Sequence, residues 1–353
     1  MSWHLVPLFQ RTRSVNLQKR AQTVKGIIAA YGVAVCACLA LFAAFCSPAR
    51  AERDTDFVAK LRQGGFTQLA EMETNRLLAK TDLNEDSRVA LLLEKARILE
   101  LKAVAAQLDD NTQIELIGKA QDVLKAFINQ YAARPEKTDA AYELQFLNRV
   151  LGLLYVRKAQ FETDPNACND LVAKGRAALD EASAGYGALR QEFEKRRDDI
   201  KAQLQAQNDL HDKEAAKLKP SLAVLKGAER KIHELEGKLS AAEFSVIQCR
   251  YLEADSVGGL GKALKKIPGH EAEGDGLLDK AITLYNGLFS DYRKTPYIEV
   301  AYRSLSEAVR MQCLRGQAED AYRRIQTETV YFLTTYRQEM EKDPAFKRIA
   351  AYM

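Results

Sequence analysis

Apolar residues recur at three- and four-residue steps along most of the chain, and strict alternation of apolar and polar residues is missing. In Lys280–Ile325, Ala281, Tyr285, Leu288, Phe289 and Tyr292 fall on one helical stripe. Pro296 closes that stretch, and Val300, Ala301, Leu305 and Ala308 form the next. Between positions 111 and 135 the stripe is Ile114, Ile117, Ala120, Leu124, Phe127 and Tyr131, closed by Pro135. From 138 to 160, Leu144, Leu147, Leu151, Leu154 and Tyr155 share the helix with Phe146, Val150 and Val156. Apolar on more than one face, this helix is expected at the centre of its layer. Residues 55–80 carry a broken stripe (Phe57, Leu61, Phe66, Leu69, Ala70, Leu77, Leu78) with Gly64-Gly65 as a turn. Asp82 or Asn84 is expected to cap the following helix, which carries Val89, Leu92, Leu93, Ala96, Leu99 and Ala103. The pattern predicts an all-α protein.

Two stretches repeat one another. Lys119-Ala120, Tyr131 and Pro135 match Lys280-Ala281, Tyr292 and Pro296 at identical spacing, and Ala141-Tyr142 matches Ala301-Tyr302 with one residue inserted. Gly316 and Ala321 stand five residues apart, as do Gly65 and Ala70. The glycine permits a left-handed turn, and the small residue permits close helix approach. This sequence of aromatic, proline, Ala-Tyr and glycine resembles the tetratricopeptide repeat, in the variant found in periplasmic Tol-system coordinators and outer-membrane assembly lipoproteins. The resemblance implies a TPR-like solenoid of paired helices, at 52–185 and 277–353, whose work is to hold other proteins. Tyr297, Tyr302 and Arg303 are the candidate groove residues, since aromatics and arginine frequently anchor interfaces.

Between the two repeat regions the pattern changes. Tyr186, Leu189, Phe193, Ile200 and Leu204 form a thin stripe amid dense charge. Beyond Pro220, Leu225, Ile232, Leu239 and Val246 recur at sevens, interleaved with Ala228, Leu235, Ala242 and Cys249. This predicts an antiparallel coiled-coil hairpin, 186–218 and 222–252, with its tip near Lys219-Pro220, inserted in the solenoid. The hairpin either projects towards a partner or a second copy, or packs as a further layer. The glycine-rich stretch 255–276 reads as a linker after a hairpin region at 186–254. No polar capping helix is recognisable after Pro344.

Charge separates the first 51 residues from the rest. Six of the 52 Lys and Arg residues sit there without a single Asp or Glu, leaving 46 basic against 48 acidic residues. A near-neutral remainder argues against nucleic-acid binding. The uncharged run 26–46 is about long enough to cross a bilayer, and the basic segment before it orients the N-terminus inward. Ala49-x-Ala51 fits a signal-peptide cleavage site before Glu52; the alternative is an uncleaved anchor of the same orientation. Either way the chain from Glu52 onward is exported, to the periplasm or cell envelope, and membrane contact is limited to the N-terminal segment.

Candidate chemistry is sparse. Asp82–Ser87 fails as a calcium loop because Ser87 replaces the glycine and Leu93 the bidentate glutamate. Gly261-Lys262 is followed by Ala263 and is not a phosphate loop. Cys168, Cys249 and Cys313, and His211, His233 and His270, show no metal-ligand spacing. Cys249 and Cys313 are expected to be buried and inert, and His270 to Asp275 to form a flexible acidic loop. No catalytic residue, cofactor site or metal site is assigned. The expectation is an exported scaffold for protein–protein interaction rather than an enzyme. The alternatives are a structural protein self-associating through 186–252 and, third, a cell-wall-active hydrolase.

Overall fold

The computed structural model describes residues 49–104 and 108–352. The chain divides into two units, Met1–Phe57 and Val58–Met353. Of the first, only the opening turns of helix α1 (Ala49–Gln63) are described. The predicted membrane span at 26–46 lies outside the described residues, while Ala51 and Glu52 fall within α1. Among the described residues no helix is long and apolar enough to cross a membrane.

Every regular element described is an α-helix. After α1 come α2 (Thr67–Leu78), α3 (Glu85–Ala103), α4 (Asp110–Gln130), α5 (Glu136–Ala159) and α6 (Pro165–Ala215). They are followed by α7 (Leu222–Leu264), α8 (Glu271–Tyr292), α9 (Ile298–Leu314), α10 (Ala318–Thr335), α11 (Arg337–Lys342) and α12 (Pro344–Tyr352). Local chemistry sets several starts. Asn84 accepts the Ser87 N–H at 2.7 Å, with Glu85 and Asp86 in the first turn of α3. Asp109 accepts from Asn111 and Thr112 at 3.0 and 3.1 Å. Asp164 caps α6, whose first residue is Pro165.

The five-residue glycine steps are the same turn. Gly65 and Gly316 have φ of 84° and 80°. The next N–H reaches back five residues, from Phe66 to Leu61 (2.9 Å) and from Gln317 to Gln312 (2.9 Å). Ala70 and Ala321 then lie fully buried on the following helix. Gly269 shares the positive φ (87°), and Gly274 stands five positions on, but there the His270 N–H reaches back only to Ile267, at 3.1 Å.

That cluster is not the linker expected at 255–276. Gly258, Gly259 and Gly261 lie inside α7 and Gly274 and Gly276 inside α8, leaving only the short turn around Gly269 as connection. The physical reason is close approach. A Cβ on Gly261 would sit 3.0 Å from the Gly274 carbonyl oxygen, and one on Gly274 would sit 2.7 Å from the Lys265 nitrogen. Gly152 and Gly175 do the same where α5 crosses α6, with a Gly152 Cβ 2.8 Å from the Gly175 oxygen.

Each helix from α2 to α10 packs mainly on its neighbours in sequence. α5, the helix expected to be central, meets α4, α6 and α7. One core joins α3, α4 and α5 through Leu99, Ile117, Leu124, Phe127 and Leu147. Another joins α7, α8 and α9 through Ile247, Leu278, Tyr285 and Met311. At the C-terminal end, α12 folds back on α9 and buries Ile349 beside Tyr302 and Phe332, supplying a cover that the sequence pattern after Pro344 did not reveal.

α6 and α7 are longer than the predicted arms, with 51 and 43 residues, or about 77 and 65 Å. They reverse direction at 216–221 and pack against each other. The predicted first arm began at 186, but Val172, Ala178, Leu179 and Ala182 extend the buried stripe of the same helix back towards Pro165. Farther out, Ile200 and Leu204 on α6 meet Leu235, Leu239 and Ala242 on α7, a cluster that among the described residues is built from these two helices.

Candidate protein-docking clefts

Two clefts open beside the α6–α7 pair. The first, of about 340 Å³, is lined by Arg97 from α3, Asp139, Tyr142 and Glu143 from α5, Phe193 from α6, and Ser245 and Gln248 from α7. The second, of about 230 Å³, is lined by Arg197 from α6, Glu243 and Val246 from α7, and Tyr292, Thr295, Pro296 and Tyr297 at the α8–α9 connection. Each cleft thus combines both long helices with residues of a sequence-matched stretch, from α5 in the first and from the α8–α9 connection in the second.

The first cleft is framed by an ion-pair relay. Arg62 donates to Glu94 at 2.6 Å, Arg97 donates to Glu94 at 3.0 Å, and Arg97 reaches Glu143 at 2.7 Å. Burial raises the Glu143 carboxyl above its ordinary range, with Arg97 opposing the shift. Its second oxygen, Oε2, is buried without a hydrogen-bond partner among the described residues. Tyr142 packs edge-on against Tyr186 with ring centroids 5.8 Å apart, and burial pushes its phenol up to about 12. One turn along α3 from Arg97, burial and the Glu143 charge push Glu100 up to about 7.

In the second cleft the Tyr297 hydroxyl shares its one proton between the Ser240 carbonyl and the Glu243 carboxylate, both at 3.2 Å. Tyr292 stands edge-on to Tyr297, with centroids 6.2 Å apart, and takes the Arg250 guanidinium over its ring. The apolar walls are Val246 and Pro296.

Of the three groove residues read from the sequence, Tyr297 lines this cleft. Tyr302 does not: it is fully buried between Phe289 and Phe332, at 5.3 and 4.8 Å. Helical phase explains the correction, because Tyr302 neighbours Ala301 on the face of α9 that packs inward. Arg303 is exposed but already stacks over Tyr251, 4.9 Å from the ring centroid. The repeat-signature residues Ala120, Ala281 and Ala321 are fully buried, Tyr131 nearly so, and Tyr292 partly. Pro135 and Pro296 are exposed in equivalent connections and Gly316 forms its turn. Sequence reading missed Arg97, Glu143, Phe193 and Gln248 as cleft residues. Tyr142 stands out in the sequence only as the repeat equivalent of Tyr302, and that pairing is the available signal.

Other expectations need adjustment. Cys249 is buried, with its thiol pushed up to about 12 by burial, whereas Cys313 lies exposed near the end of α9. The stretch from His270 is the start of α8, not a flexible acidic loop. Glu273 pairs with Arg176, and Asp275 pairs with Lys265 and Arg315. Among the described residues no group of three or more His, Cys, Asp or Glu could hold a metal ion. No family model matches the chain, and neither does any curated protein or solved structure.

Proposed function

We propose that the chain is an exported helical-repeat scaffold, a TPR-like solenoid interrupted by a long coiled-coil hairpin, that holds a protein partner in the clefts beside the hairpin. The observation that carries this reading is the aromatic lining of two clefts that both border α6 and α7. Tyr142 and Phe193 offer rigid apolar area, and the exposed Asp139 favours an Arg, Lys or amide donor. Tyr292, Tyr297 and Val246 suit an aromatic or aliphatic anchor. A partner helix or extended segment seated in either cleft would lie against α6 and α7. The export reading rests on the charge and hydropathy of residues 1–51.

Photo-crosslinking tests the proposal. A photoreactive residue at Phe193 or at Tyr297 in cells is expected to trap one and the same protein, and one at the exposed Phe161 is not. Adducts that are indifferent to position, or absent at both clefts, defeat the proposal.

The alternative of self-association through 186–252 draws on the heptad stripe. Leu235, Leu239, Ala242 and Cys249 of that stripe pack on α6 of the same chain. Association through the same seam therefore requires exchange of helices between copies.

A further inference from the structure

The turn joining α6 to α7 is more apolar than a solvated helix turn needs to be. Leu218 is 100% exposed, Leu222 67% and Val224 38%. They are not a frayed end. The buried Glu214 carboxylate accepts the Ser221 N–H at 2.8 Å and a hydrogen bond from Lys217, tying the end of α6 to the start of α7 and fixing the turn that presents Leu218. The Lys217 and Ser221 contacts also hold Glu214 below the ordinary carboxylate range, so it stays ionised in this role.

The exposed charge around these leucines is cationic. Lys213, Lys217, Lys219 and Lys226 are exposed, and Lys217 and Lys219 flank Leu218 directly. Between positions 212 and 226 the carboxylates are Asp212, which is exposed, and Glu214, which is consumed by the turn. The tip also stands clear of the cleft contacts. Tyr297 reaches α7 at Ser240, and the helix continues for about 27 Å from there to Leu222.

We propose that this tip is a second membrane-contact site, inserting Leu218 and Leu222 into the interface of an anionic bilayer while the lysines bind lipid phosphates. Exposed leucines suit the acyl boundary, and lysines on flexible apolar stems keep their ammonium groups at headgroup level. An anionic surface attracts such a cluster, and a neutral one does not. The proposal is independent of the cleft reading, since either can fail alone. It also departs from the expectation that only the N-terminal segment meets a membrane.

The test uses the full chain, so the readout must report the tip itself. Trp3 is the only tryptophan, and Trp3→Phe with Leu218→Trp places a single indole at the fully exposed tip. The protein is reconstituted with vesicles of phosphatidylcholine alone or mixed with phosphatidylglycerol, with or without brominated acyl chains. The expected result is a blue-shifted emission, quenched by bromine, only where the anionic lipid is present. Each of Lys213→Gln, Lys219→Gln and Lys226→Gln should lower the inserted fraction about fivefold. Solvent-like emission on both vesicle types overturns the proposal, as does equal insertion into both. A blue shift without lipid that grows with protein concentration also overturns it, and assigns the tip to a second copy instead.

Discussion

The inner and outer halves of the α6–α7 pair are made of the same two helices and are held by different physics. At the inner end, Tyr186, Leu189 and Cys249 are buried together, and α5 and α8 press on the pair from outside. Two glycine contacts, Gly152 with Gly175 and Gly261 with Gly274, bring backbones to van der Waals distance there. In the outer half, Ile200, Leu235 and Ala242 with Leu204 and Leu239 form the buried seam, and the glycines have open space around them. Stability should therefore fall along the arm from close-packed to marginal, and the outer half should open first. The difference shows how one helix pair can be a rigid part of a body at one end and a reach into solvent at the other.

Filling the closest inner contact should have the largest effect. In Gly152→Val the new side chain meets Leu179 Cγ at 2.5 Å and the Gly175 oxygen at 2.8 Å, and both belong to packed helix. A loss of about 3 kcal/mol is expected, read as a lower urea midpoint for the whole unit. A midpoint unchanged from the parent protein would show that the α5–α6 crossing is looser than drawn. Leu235→Ala acts on the outer seam, where Leu235 is 2% exposed. The expected cost is about 2 kcal/mol, at the low end for a buried leucine because the site has few neighbours. Hydrogen exchange should accelerate across 196–240 and leave α4 unchanged; uniform acceleration would mean that the two halves unfold as one.

The helices packed beside the inner end and the outer half of the pair should also answer pH with opposite signs. Near the inner end, burial raises the carboxyls of Glu100, to about 7, and Glu143. A carboxyl raised by folding prefers its neutral form, so this contribution is full below the unfolded value of about 4.5 and is lost as pH rises towards 7. Glu100→Gln is expected to gain about 2 kcal/mol at pH 8 and little at pH 4.5, measured by urea unfolding at both. In the outer half, Lys238 and Lys231 hold Glu234 down at about 2, so its contribution is present above about 4.5 and fades as pH falls towards 2. Exchange protection of the arm should fade on that acidic side alone. A fall in arm protection between pH 5 and 7 would break the distinction.

Much of this was legible from spacing. The stripes at 111–135, 138–160 and 280–308 fall on α4, α5, α8 and α9, and the Pro135 and Pro296 breaks fall in their connections. The reversal near Pro220 and the seam residues Leu235, Leu239 and Ala242 were visible as heptads. What escaped has a common cause. Glycine signals a turn when read alone, but Gly261 and Gly274 are glycine because another backbone occupies the Cβ position, which depends on a partner about a dozen residues away. The phase of Tyr302 was misjudged because aromatic character favours interface and core alike, and only packing against Phe289 and Phe332 decides. The first cleft draws Arg97, Glu143, Phe193 and Gln248 from four helices, and no local pattern brings them together.

The smallest effect offers the cleanest contrast with Gly152. Gly237 lies within the outer half of α7, exposed, and a Cβ there meets nothing within 4 Å. Glycine in a helix interior costs roughly 0.5–1 kcal/mol relative to alanine, because the unfolded chain loses more freedom on ordering. Gly237→Ala should therefore stabilise the arm by about that amount while leaving the global urea midpoint close to unchanged. The gain should appear as slower hydrogen exchange between 222 and 240 and as slower proteolysis near the tip. Because the substitution adds no contact, such a gain can come only from backbone order. If the variant instead exchanges as fast as the parent, the outer half is already ordered by something other than its own seam, and the gradient along the arm disappears.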